Sequence, residues 1–270
     1  MVKIHPNAVV ESGAELDDGV EVGPSAYIGS KVKIGRDTFV AHGAHIEGLT
    51  TIGSGNKIFP NAVLGTIPQD LKYRGEETEL IIGNDNIFRE FTMINTGTIT
   101  GISKTIIGNG SLFMAYVHAA HDCIIGNNCI LANGATLAGH VELGDNAVVG
   151  GLTPVHQFVK IGKFAMLAGA SAISQDIPPF CLAEGNRAVL RGLNLTGLRR
   201  HYARQDIDEL KSAYKTLFLS SLPIKDSAQA ILNSTVCIAV KELCEFIINT
   251  TRGIPYHTKQ ENEENETKSM

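Results

Sequence analysis

Residues 4–35, IHPNAVVESGAELDDGVEVGPSAYIGSKVKIG, decide the fold, because an aliphatic side chain returns at every sixth position. Ile4, Val10, Leu16, Val22, Ile28 and Ile34 open a series that runs on through Val40, Ile46, Ile52, Ile58 and Leu64. Glycine often comes next, as at Gly23, Gly29, Gly35, Gly53 and Gly65. Neither the helical period of 3.6 nor strand alternation demands such a repeat. A chain that turns a corner every six residues does: each hexad supplies a short strand and a tight turn, with Gly or Asn taking turn geometries costly for other residues. Three hexads then close a triangular coil of eighteen residues, and stacked coils pair their strands ~4.8 Å apart.

The rhythm is interrupted at residues 66–81, TIPQDLKYRGEETELI, where Pro68 and a cluster of charges predict a loop thrown off the prism. It resumes at Ile82, passes Phe88 and Ile94, and breaks again near Gly101-Ile102-Ser103-Lys104. From Ile107 it runs through Phe113, Ala119, Ile125, Leu131, Leu137, Leu143, Val149, Val155, Ile161 and Leu167 to Ile173, and Pro178-Pro179 ends it. The expected fold is a left-handed parallel β-helix of about ten coils over residues 1–190, roughly 45 to 50 Å long. Its hand is that of hexapeptide-repeat folds and an exception to the usual right-handed crossover; spacing alone does not dictate it. A C-terminal helical domain is expected over 191–257. One helix covers LTGLRRHYARQDIDELKSAYKTLF, with Ile207, Leu210, Tyr214, Leu217 and Phe218 on its inner stripe. A second, capped by Asp226 or Ser227, contains Ile231, Val236, Ile238, Val240, Leu243 and Ile247. The acidic tail 258–270 has the composition of a disordered segment.

Among 270 residues only 19% are charged and 6% aromatic, and the net charge of −5 implies no affinity for nucleic acid. No apolar run is long enough to cross a bilayer, so no stable membrane insertion is expected. Five cysteines without a CxxC pair, and no signal-like start, fit reduced thiols in a cytoplasmic protein.

Chemistry concentrates in residues 117–141, VHAAHDCIIGNNCILANGATLAGHV, where His118, His121 and His140 stand among small and aliphatic residues. Residues eighteen apart should stack, which puts Gly139 above His121, Gln157 above Gly139, and His140 above Asp122. Such a stripe suits base-assisted acyl transfer. An imidazole with an ordinary pKa near ~6.5 can take a proton from a hydroxyl, Asp122 can fix its tautomer, and the Gly139 amide can stabilise the oxyanion. Cys123 is no nucleophile, since the adjacent Asp122 should raise its pKa. The same imidazoles could instead form a three-His zinc site with an open position for water. A passive scaffold is a third reading. Arg187, Arg191, Arg199, Arg200, His201 and Arg204 form either a solvated face or a site for a phosphate or an acidic partner.

The segments GTIPQDLKYRGEETEL, REFTMINTGT, AHDCIIGNNCILANGATLAGHV, GGLTPVHQFVKIG, QDIPPF, AEGN and GLNLTGLRR closely resemble the UDP-N-acetylglucosamine O-acyltransferase family, and the likeness runs to STVCIAVKELCEF. It implies a homotrimer with active sites between neighbouring prisms. It also implies transfer of an R-3-hydroxyacyl group from the 4'-phosphopantetheine of acyl carrier protein to the 3-hydroxyl of UDP-N-acetylglucosamine, the first step of lipid A synthesis. On this resemblance His121 is the base, Asp122 its support and Gly139 the oxyanion donor, with no metal and no bound cofactor. His118, His140, His156, Gln157, Gly151 and Met166 line the sugar and acyl groups, Gln69, Asp70, Lys72 and Tyr73 reach in from the loop, and Asn194 and Arg200 hold the nucleotide. The sequence departs from the family where a frequent His is Arg187 and an acidic residue is Thr196. Gly169, at the position that measures the acyl chain, lies above Gly151, and two small residues there imply a chain of about fourteen carbons or more, each buried CH₂ contributing ~0.8 kcal/mol. The nearest alternatives are the N-acyltransferase of the same pathway, which usually carries an extra N-terminal domain, and acetyl-CoA-dependent enzymes acting on a sugar or serine.

Overall fold

The computed structural model describes residues 1–220 and 222–256; the expected disordered tail lies outside the described residues. The hexads wind into a left-handed parallel β-helix whose three flat faces are parallel sheets. The first face begins at Lys3–Ile4, the second at Val9–Val10 and the third at Glu15–Leu16. The first face stacks ten parallel rungs, ending at Cys181–Glu184, and then turns antiparallel into Val189–Leu193. Each of the other faces carries eight strands and one further bridge, to Ile173 and to Ile177.

The register follows the hexads. Ile4 pairs with Val22, and Phe113 with Leu131, eighteen positions on. The repeating aliphatics fill the prism and are almost all buried, with Phe88 stacked on Phe113 at 4.7 Å along its axis. Ile4, at the open N-terminal end, remains half exposed.

The turn chemistry differs from the expectation. Of the glycines directly after the inward aliphatic, only Gly65, at the start of the first insertion, has positive φ; Gly23, Gly29, Gly35 and Gly53 do not, and are small because the next coil presses on them: a Cβ on Gly23 would lie 2.8 Å from the amide of His42. The left-handed slot comes two residues later. Ser25, Asp37 and Asn61 occupy it, and so do Tyr116, Asp122, His140 and Phe158. Asp and Asn tolerate that conformation best, and bulky residues there are unusual.

Two coils exceed eighteen residues. Ile58 pairs with Phe88 and Phe88 with Phe113, thirty and twenty-five positions on. Both insertions leave at the second corner, where the chain passes from the second face to the third: one between Val63–Thr66 and Glu79–Ile82, the other between Met93–Asn95 and Lys104–Ile107.

Among the described residues the C-terminal segment forms four helices where two were expected: α1 (Leu195–His201), α2 (Arg204–Phe218), α3 (Ile224–Ser234) and α4 (Ile238–Asn249). The first expected helix breaks at Tyr202, whose backbone is extended while its ring packs edge-on against Phe164 and Phe180 at the top of the prism. Ile207, Leu210, Leu217 and Phe218 do line the buried side of α2. Neither Asp226 nor Ser227 caps α3. Pro223 stands at its cap, its fixed φ suiting a helix start, and Asp226 falls in the first turn, where a carboxylate complements the helix dipole. The second expected helix is broken between α3 and α4: Val236 lies exposed in the break, and Ile238, also exposed, begins α4.

Candidate active site

The second edge of the prism carries both long insertions and the histidine–carboxylate pair. Going up it, the coils contribute the loop 67–78, the insertion 96–103, His121–Asp122, Gly139–His140 and Gln157–Phe158. His121 and Asp122 follow the strand His118–Ala119, and Asp122 takes the left-handed slot with φ 59°. That conformation turns two consecutive side chains toward each other, so Nδ1 of His121 donates to Oδ2 of Asp122 at 2.8 Å. A carboxylate can only accept, so this bond puts the proton on Nδ1 and leaves the lone pair on Nε2 free to act as a base. His121 keeps 16% of its side chain exposed and Asp122 none.

Asp122 is held on both oxygens. The Thr98 amide donates to Oδ1 and Oδ2 at 3.1 Å each, the Thr98 hydroxyl to Oδ2 at 2.6 Å, and the Ile102 amide to Oδ1 at 2.9 Å. Burial alone would raise its pKa; the bonds from His121, Thr98 and Ile102 reverse this and hold the carboxyl below its ordinary range.

Gly139 stacks on His121 as the register requires. A Cβ on it would lie 2.5 Å from Cε1 and 2.7 Å from Nε2 of the imidazole, so only glycine leaves the ring its place. On the third edge, the amide in the equivalent turn position is capped by the residue one coil above: Asn109 N–H donates to Asn127 Oδ1 at 2.9 Å, and Asn127 N–H to Asp145 Oδ1 at 2.7 Å. Gln157 makes no such bond, and the Gly139 N–H has no partner among the described residues.

His140, above Asp122, stands edge-on to His121 at 5.0 Å and 3.9 Å from the Asp122 carboxylate. Phe158 stacks flat on it at 4.3 Å. Burial lowers the His140 pKa, opposed by the charge of Asp122, helped by His121 and opposed again by Asp70 of the loop. His118 donates from Nδ1 to the Met93 carbonyl at 3.1 Å, and burial lowers its pKa. The loop reaches this cluster through Gln69, whose amide touches the Met93 sulfur, and through Asp70. Lys72 is exposed beside them, its amide bonded to Asp70. Tyr73 turns away: its hydroxyl donates to Glu76 O, and its ring lines a cavity of about 320 Å³ against the N-terminal coils.

One potential ligand atom from each of His121, Asp122 and His140 lies within 4.8 Å of the others, close enough for a metal. The donor set argues otherwise, since Asp122 already takes bonds from Thr98, Ile102 and His121 on its two oxygens. Cys123 has its thiol pushed up to about 12, and burial is the main cause, with Asp122 a smaller one than expected.

The remaining expected residues are spread over the prism. His156 is exposed, with the Arg252 guanidinium 3.3 Å from its Nδ1, and it shares with Arg187 a groove of about 500 Å³ on the second face lined by Ala138, Pro154 and Ala172. Gly151 and Gly169 stack at the first corner, beside the strand that starts at Met166. Asn194 is at the third corner, where it caps α1 through Gly197 N–H and donates to Phe164 O. Arg200 projects from α1, as does Thr196. Sequence reasoning missed Thr98, Ile102, Phe158 and Arg252. The break in the hexads beside residue 101 was the available signal for the first two.

A triangular β-helix carrying a histidine–carboxylate pair and an unpaired amide at one edge defines a hexapeptide-repeat acyltransferase. Residues 104–139 match the model of the bacterial transferase hexapeptide, and residues 176–255 that of UDP N-acetylglucosamine O-acyltransferase, domain 2. Proteins named acyl-(acyl-carrier-protein) UDP-N-acetylglucosamine O-acyltransferase are similar over almost the whole chain. One from Sulfurovum is 61% identical over 96% of this chain, and one from Aliarcobacter butzleri 58% identical over 96%, each covered in full. The solved UDP-N-acetylglucosamine acyltransferase from Campylobacter jejuni superposes with a TM-score of 0.92 at 51% identity, over 94% of this chain and all of that one. The chain belongs to the UDP-N-acetylglucosamine O-acyltransferase family.

Proposed function

We propose that this protein transfers an R-3-hydroxyacyl group from acyl carrier protein to the 3-hydroxyl of UDP-N-acetylglucosamine, with His121 as general base, as the first step of lipid A synthesis. Nε2 of His121 takes the hydroxyl proton while the oxygen attacks the thioester carbonyl. The Gly139 N–H stabilises the resulting oxyanion. Collapse breaks the C–S bond, and the phosphopantetheine thiolate leaves with the proton held by His121. Asp122 keeps the imidazole in the right tautomer and stabilises it when charged. The acyl carrier brings its own phosphopantetheine arm, and the protein binds no cofactor of its own. The observation that carries this reading is the free Gly139 amide one coil above a base whose Nδ1 is committed to Asp122.

A homotrimer is part of the proposal. The histidines sit at the second corner, Gly151 and Gly169 at the first, and Asn194 with Arg200 near the third. Residues on three edges of one prism converge only if neighbouring prisms bring different edges together. Where Arg187 and Thr196 replace the family's residues, nucleotide contacts rest on Asn194 and Arg200. No helix among the described residues is long and apolar enough to cross a membrane. Five buried free thiols suit work in the cytoplasm.

The test is a transfer assay with purified protein, acyl carrier thioester and UDP-N-acetylglucosamine, run beside His121→Ala and with metal analysis of the same sample. Transfer that collapses in the variant, without stoichiometric zinc, supports the reading. Normal turnover by His121→Ala, or zinc-dependent activity, overturns it.

A further inference from the structure

The two insertions on the second edge do different things. The longer loop reaches toward the histidines from outside. The shorter one, residues 96–103, wraps a single buried carboxyl. Its turn is closed by the amides of Gly101 and Ser103, both donating to Thr98 O at 3.0 Å. Inside that turn lie three of the groups that bind Asp122: the Thr98 amide, the Thr98 hydroxyl and the Ile102 amide. Gly101 presses so close that a Cβ there would fall 2.3 Å from Cγ of Asp122. Thr98 is itself buried, and its hydroxyl lies 3.1 Å from that of Thr100, which can donate to it once the Thr98 proton is given to the carboxylate.

We propose that Thr98, carried by this insertion, is a positioning residue for acyl transfer: it fixes the Asp122 carboxylate so that Oδ2 faces Nδ1 of His121. The inference rests on His121 being the base. Oδ2 receives both the Thr98 hydroxyl at 2.6 Å and the imidazole at 2.8 Å, so the two bonds define the carboxylate plane together. The last torsion of an Asp side chain is soft. Without the hydroxyl, the carboxylate turns toward the backbone donors of Thr98 and Ile102, and the imidazole loses its fixed direction. Thr98 cannot reach substrate through Asp122 and His121, so its removal acts on turnover and not on binding.

The experiment is steady-state kinetics on Thr98→Val, Thr98→Ser, Asp122→Asn, the Thr98→Val/Asp122→Asn double variant and His121→Ala. Valine keeps the shape and the amide but removes the hydroxyl. It should lower kcat about tenfold with both KM values within about twofold, the loss of one bond to a charged group. Serine should restore kcat. In the Asp122→Asn background the valine should cost less than about twofold more, because coupled groups are not additive. Should Thr98→Val fold poorly, Thr98→Ala provides the same test, since it also removes the hydroxyl that donates to Asp122 Oδ2 while keeping the amide, and the same loss of about tenfold in kcat is expected. An unchanged kcat, failure of serine to rescue, or a loss that multiplies with that of Asp122→Asn overturns the positioning role while His121→Ala remains inactive. An active His121→Ala overturns the base and this inference with it.

Discussion

Gly139→Ala isolates the stacking on which the proposed chemistry depends. The backbone at Gly139 is not in the left-handed region, so alanine can adopt it, and the amide proposed to hold the oxyanion is retained. What changes is space: the new methyl would meet the His121 ring at 2.5 Å and 2.7 Å, where ordinary contact begins near 3.4 Å. The ring must retreat by ~1 Å. The prism backbone below it is fixed by ladder bonds, so the imidazole swings outward, toward its exposed side. That movement stretches the 2.8 Å bond to Asp122 beyond useful range. A reacting group displaced by ~1 Å costs on the order of a hundredfold in rate. The assay is kcat/KM for hydroxyacyl transfer to UDP-N-acetylglucosamine, beside thermal unfolding of the same sample. The expected result is a loss of about a hundredfold, with an unfolding midpoint close to that of the wild type. Activity within about threefold of wild type would mean that the ring at 121 does not need its observed place, and the assignment of the base would fall.

Acid unfolding should register Asp122. Because its folded carboxyl sits below the ordinary 3.8, the unfolded chain takes up the proton first; the stability it lends is complete above that value and is lost as the pH falls toward the lower folded one. Asp122→Asn should flatten this part of the unfolding midpoint against pH, and an identical acid slope in both proteins would refute it. Gly169→Met should shift acyl preference to shorter chains. Its Cβ makes ordinary contacts with Gly151 alone, at 3.4 Å from O and 3.7 Å from N, so the fold accepts it, and each excluded CH₂ is worth ~0.8 kcal/mol, about fourfold in relative kcat/KM. A ladder of acyl carrier thioesters reads the result, and a wild-type preference for about ten carbons would reject the open groove. Charge reversal at Arg204, whose side chain is 96% exposed, should slow association with the acidic carrier and reduce its salt dependence; an unchanged association rate at low salt would leave it a solvated face.

The legible part of this protein was its spacing. An aliphatic every six residues dictated three faces, and adding eighteen placed Gly139 over His121 and His140 over Asp122 without knowledge of any contact. The number of helices was not legible in the same way. Tyr202 reads as one more residue on a helical stripe, and only its packing on Phe164 and Phe180 shows why the helix stops there. The hexad shows which position recurs, but not which of two constraints, torsion or crowding, makes it recur. Crowding governs Gly23; torsion governs the slot two residues later.

That second slot explains why the site sits where it does. Neighbouring residues on a strand point to opposite faces and on a helix diverge by about 100°, so His-Asp in sequence rarely makes a His–Asp bond. At a hexad corner the left-handed residue turns the chain onto the next face and brings the two side chains together, at the cost of a backbone conformation that Asp tolerates better than most residues. The next coil repeats the geometry with His140 and the following one with Phe158, so the same corner builds a wall over the base. The third edge, with the same turns, spends its polar side chains capping amides from coil to coil. Function on the second edge therefore rests on an omission: Gln157 leaves unbonded the one amide that an Asn in its place would close.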